Sequence, residues 1–145
     1  MSVITEIAQN RILWNSILAW LIAQLLKVFL TLILDKRWDF TRFVGSGGMP
    51  SSHSAIMTCM ATSIGMQEGF NSPMFALSVA ATLVVMYDAA GVRRAAGKQA
   101  VVLNEIVREL QTQHTITEAK LKELLGHTPI EVIAGAILGI LVAVL

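Results

Sequence analysis

Charge is scarce in this chain: Asp, Glu, Lys and Arg make up 14% of residues against 54% hydrophobic, and the mean hydropathy is +0.64. That balance belongs to membrane proteins. Neither sign dominates, since the formal net charge is +1, so no basic excess draws the chain to nucleic acid. Cysteine is almost missing. Cys59 stands alone, which excludes an internal disulfide, and within its apolar stretch it reads as a small core residue. The first apolar run, Ile12 to Leu34, lacks a small-residue cleavage site and exceeds the roughly 7–15 residues of a signal-peptide core. It reads as a retained span.

A helix needs about 20 mostly apolar residues to cross the hydrocarbon core. Four segments meet or approach that: 12–34, 51–69, 74–90 and 129–145. The expectation is one all-α membrane domain over residues 1–145, an integral bundle of about four transmembrane helices plus one or two amphipathic surface helices. The second span is rich in Ala, Ser, Thr and Gly, and the fourth carries Gly135 and Gly139 as a G-x-x-x-G pair; both patterns suit close helix packing. The polar insertion 91–128 is helical in period. Leu103, Ile106, Val107 and Leu110 mark one amphipathic helix, and Thr117, Glu118 and Lys122 open a second short one ending near Leu125. Segments 35–50 and 91–128 hold Lys36, Arg37, Arg42, Arg93, Arg94, Lys98, Arg108, Lys120 and Lys122, against Arg11 on the other side. Positive residues stay cytoplasmic, so a multi-pass cell-membrane protein with cytoplasmic polar loops is expected.

Three polar blocks share that side: GGMPSSHSA (47–55), YDAAGVRRAAGKQA (87–100) and ELLGHTPIEVIAG (123–135). In the first, Pro50, Ser51, Ser52 and His53 stand where a glycine-rich loop enters a helix, so free N–H groups and the positive dipole end form an anion site. Ser51 as a plain cap explains the same residues about as well. In the third, Thr128 and Glu131 read as a capping box, which leaves His127 unexplained. It sits four residues before a carboxylate that can hold one ring nitrogen and leave the other as a nucleophile or base. In the second, Arg93 and Arg94 beside Asp88 serve equally as a charge anchor or as a bidentate phosphate holder. Lys27 lies well inside a span, at a cost of ~2.5–3.5 kcal/mol. It either snorkels to the membrane surface or serves the same mouth, with Gln24 one turn away.

These blocks resemble the phosphatidic acid phosphatase type 2 superfamily, which shares a core with acid phosphatases and vanadium haloperoxidases, and most closely its divergent bacterial and plant branch. The likeness runs from about Ala23 to Ile140. The superfamily pattern is K-x6-R-P, P-S-G-H and S-R-x5-H-x3-D. By position Lys27 resembles the motif lysine, Pro50 to His53 the second motif, His127 with Glu131 the final H-x3-D, and Arg94, or else Arg93, the third-motif arginine. Several positions depart from it. Arg37 or Arg42 stands in for an Arg-Pro that is missing after Lys27, Ser52 replaces glycine, Glu131 replaces aspartate, and 32 residues rather than five separate Arg94 from His127.

The resemblance implies a membrane phosphatase acting on a lipid phosphate or pyrophosphate, with His127 attacking phosphorus, Glu131 orienting it and His53 protonating the leaving oxygen. Lys27, Arg94, Ser52 and the backbone at the second span's start, with Ser51, Arg93 and Arg37 as further candidates, would hold the phosphoryl oxygens. No cofactor or metal is implied, and oligomeric state stays open, a homo-oligomer included. The alternative is a non-catalytic membrane protein that binds or moves a phosphorylated lipid. A third reading takes His53, His127, Asp88 and Glu131 as metal ligands, but their scatter over three blocks gives it little weight.

Overall fold

The structure, a computed structural model, describes residues 2–36, 48–111 and 126–145. Among the described residues the regular elements are six helices: α1 (Val3–Gln9), α2 (Arg11–Asp35), α3 (Ser52–Glu68), α4 (Pro73–Ala90), α5 (Val92–Gln111) and α6 (Pro129–Val144). Polar caps set the starts. Asn10 closes α1 and, through its side-chain oxygen, accepts the Leu13 N–H at the start of α2 (3.0 Å). Ser72 caps α4 ahead of Pro73, whose missing N–H costs nothing in a first turn. The expected second surface helix, from Glu118 to Leu125, lies outside the described residues.

The packing is inside-out. Most residues buried between the helices are small or hydroxylic, among them Ala19, Ala23, Ala55, Cys59 and Ala143 together with Ser54, Thr58, Ser78 and Thr82. The bulky side chains of Leu25, Phe29, Leu77, Val84, Ile133 and Leu141 face outward. Water would penalise so large an apolar exterior, whereas lipid tails welcome it, and small residues let helices approach closely there. By length and composition the Arg11–Ile33 helix and the helical run Pro73–Arg108 can each cross a membrane, and Pro129–Val144 is a shorter apolar helix.

Helix α3 is the hub, packed against α2, α4 and α6. Its Thr58 hydroxyl donates to the Ser54 carbonyl in its own helix (2.7 Å) and also lies 3.1 Å from the Ala136 carbonyl of α6. On the other side the Thr82 hydroxyl of α4 reaches the Met57 carbonyl of α3 (3.1 Å). Such interhelical bonds substitute for a hydrophobic drive that lipid does not supply. Gly135 and Gly139 bring α6 onto α3. A Cβ on the first would run into the Ser51 carbonyl, and one on the second into the Thr58 hydroxyl and Ala55 carbonyl. Because backbone cannot move aside cheaply, Gly135→Val is expected to lower stability by about 1–3 kcal/mol or more, read as a fall in the thermal midpoint in detergent. An unchanged midpoint would refute this packing.

Helix α5 continues α4 through a turn at Gly91, and α4 is the element it packs against. Val101, Val102, Leu103 and Ile106 are exposed along it, as are Lys98 and Arg108. It is the first of the amphipathic surface helices read from the sequence.

Candidate active site

Two helices begin side by side at one end of the bundle. The Ser51 N–H, at the cap of α3, donates to the Glu131 carbonyl in the first turn of α6 (2.9 Å). One turn further along both chains Gly135 faces Ser51 and Ser54, and Gly139 then faces Ala55 and Thr58. The helices therefore run parallel, and the positive ends of two helix dipoles meet at one mouth. Helix α4 ends there too. The His127 N–H donates to the Ala89 carbonyl (2.9 Å), one of the acceptors left open at the end of α4. That bond returns the chain to the end of α4 after the 91–126 excursion.

His127 sits at this junction with 2% of its surface exposed. Its Nδ1 lies 3.1 Å from Glu131 Oε2, and the same oxygen accepts the Thr128 N–H at 3.1 Å. The Thr128 hydroxyl in return accepts the Glu131 N–H (3.4 Å), completing the capping box. Glu131 thus serves both the cap and the ring. An ionised carboxylate can only accept, so Nδ1 carries the proton and the lone pair resides on Nε2. Nε2 is buried and has no hydrogen-bond partner among the described residues. Burial pushes the His127 pKa below its ordinary 6.5. The Glu131 hydrogen bond and charge oppose that, the Lys27 charge adds to it, and the Gly48 backbone pulls slightly upward.

His53, half-buried in the first turn of α3, presents its ring edge-to-face to His127 with centroids 6.1 Å apart and planes at 63°. Ser51 and Ser52 are buried at the helix start, where Ser51 Oγ accepts the Ser54 N–H (3.3 Å) and meets the Ser54 hydroxyl (3.1 Å). Lys27 is 1% exposed and donates to Gln24 Oε1 at 2.8 Å. Snorkelling to the surface therefore does not describe it. Gly48, which sequence reading did not single out, explains part of this. Its φ of +86° suits glycine, and a Cβ there would press on Lys27 Cγ at 3.2 Å. Arg93 and Arg94 fall in the first turn of α5, just past the end of α4, but their side chains, and Arg37 and Arg42 altogether, lie outside the described residues. His, Cys, Asp and Glu form no group of three or more suited to a metal ion among the described residues.

The low ring pKa has a measurable sign. Above pH 6.5 the ring is neutral in folded and unfolded chains alike; as pH falls below that value the unfolded chain takes up its proton first, so stability declines until the folded ring titrates as well. Glu131→Gln removes the charge but keeps a residue that fits the capping box. A histidine NMR titration is expected to show His127 titrating at still lower pH in that variant. An upward displacement would contradict a Glu131 that holds the ring by charge and hydrogen bond.

The described residues form an all-α membrane bundle with a carboxylate-held histidine beside a second histidine at one end. The chain belongs to the family described as the Divergent PAP2 family, which matches residues 8–142. It is similar to the uncharacterized membrane protein YuiD of Bacillus subtilis (strain 168), at 40% identity over 149 residues, covering 94% of this chain and 93% of that protein. No solved structure matches it.

Proposed function

We propose that the protein is a membrane phosphatase that hydrolyses a lipid phosphate or pyrophosphate through a histidine nucleophile. The observation that carries this reading is His127 itself: a buried ring held at Nδ1 by Glu131, its pKa lowered, with Nε2 meeting no partner among the described residues. Nε2 attacks phosphorus and the bond from phosphorus to the lipid oxygen breaks, that oxygen taking a proton from His53. Water then attacks the phosphohistidine, gives its proton to His53 and releases inorganic phosphate. Lys27 and the two helix starts supply fixed positive potential where charge accumulates on the phosphoryl oxygens. A phosphorylated lipid is the fitting substrate class because the site lies at one end of a bundle whose flanks suit lipid.

The test is phosphate release from phosphatidic acid in mixed micelles by purified protein, together with acid-labile phosphate trapped on His127. Binding of the lipid with no release and no phosphohistidine would instead favour a carrier of phosphorylated lipids. We place the polar loops in the cytoplasm. A cysteine at Lys98, which is exposed, is accordingly expected to react with a membrane-impermeant maleimide only after the inner face is opened. Labelling in intact cells would reverse the orientation.

A further inference from the structure

We infer that Gln24 is a positioning residue for the phosphate site, acting through the Lys27 ammonium. This rests on the reading that Lys27 holds phosphoryl oxygens. Lysine has four side-chain torsions, so an ammonium in a cavity is a poor electrostatic instrument unless something fixes it. Gln24 lies one helical turn before Lys27, on the same face of α2. It is buried, and its Oε1 takes an Nζ proton at 2.8 Å. The Lys27 stem runs along Gly48, where even a Cβ would press on it. The side chain is thereby gripped at its stem by a glycine and at its tip by an amide. That the tip remains electrically close to the nucleophile is visible in the downward push Lys27 exerts on His127.

The choice of an amide matters. Glutamine fixes the ammonium without adding a charge of its own. A carboxylate at position 24 would hold Nζ equally well and cancel its charge. Alanine or leucine would leave the charge but lose the direction. Gln24 therefore helps to set the place of the positive charge although it need not touch the substrate.

The experiment measures orthovanadate binding, as a mimic of the phosphoryl group in transfer, by calorimetry on detergent-purified wild type, Gln24→Leu, Gln24→Glu, Lys27→Met and the Gln24→Leu/Lys27→Met double variant, with thermal midpoints recorded for each. Lys27→Met is expected to weaken binding, and Gln24→Leu to weaken it about tenfold or more, as small misplacements of a binding group do. On the Lys27→Met background Gln24→Leu should change nothing further. Gln24→Glu should keep the midpoint yet also weaken binding, an outcome that a purely structural role does not produce, and it carries the test if Gln24→Leu fails to fold. Wild-type affinity in Gln24→Glu, or equal losses from Gln24→Leu with and without Lys27, overturns the positioning role while leaving Lys27 as a phosphate holder. Wild-type affinity in Lys27→Met overturns both.

Discussion

Phosphate release is expected to fall to background in His127→Ala, a loss of about a thousandfold or more, equivalent to roughly 4 kcal/mol of transition-state stabilisation. The expectation follows from what the rest of the site cannot replace. Positive potential from Lys27 and the helix starts can still gather a phosphorylated lipid, but the Nε2 that attacks phosphorus is gone. The backbone tie from residue 127 to Ala89 does not involve the side chain, and the capping box between Thr128 and Glu131 remains. The variant should therefore fold and still bind substrate, and activity must be compared at equal folded protein. Equal, slow release by wild type and variant would sink the enzymatic reading and leave the binding one.

His53→Ala carries the second-largest expected effect, and its size should depend on the leaving group. Protonation of an alkoxide by a placed acid contributes about 10²–10⁴-fold, so release from a lipid monoester should fall in that range. An aryl phosphate with an acidic phenol needs no proton on departure. With such a substrate the loss should shrink to a few-fold. The two rings stand edge to face with centroids 6.1 Å apart, near enough for both to serve one phosphoryl group, the one attacking while the other serves the departing oxygen. Equal losses on both substrates would remove His53 from the proton-transfer role and assign it to binding.

The helices that build the bundle were legible because each long apolar run nearly equals one element: the 12–34 reading corresponds to Arg11–Asp35 and the 129–145 reading to Pro129–Val144. Helix α1 was not, since the seven residues Val3–Gln9 are too few to display a period. The glycine pair on α6 and the small residues of the second span both announced packing faces, but that Ser51, Ala55 and Thr58 meet that pair is a long-range pairing no local pattern displays. The site divides the same way. His127 and Glu131 are local, four apart on one turn, and their contact could be read directly. The meeting of His53 with His127 depends on how α3 and α6 lie together. The grip of Gly48 on Lys27 was hidden in a loop whose glycines all read alike.

The bond between His127 and Ala89 has a consequence for the chain it encloses. A reactive group is usually held in place by the segment leading to it, so that changing the segment's length moves the group. In this protein a clasp across the base of the excursion sets the position of His127. Residues between the two ends can be added or removed at an entropic charge that grows only logarithmically, about 0.6 kcal/mol per doubling of a flexible loop. The 32 residues that separate Arg94 from His127 need not carry that position through their own length.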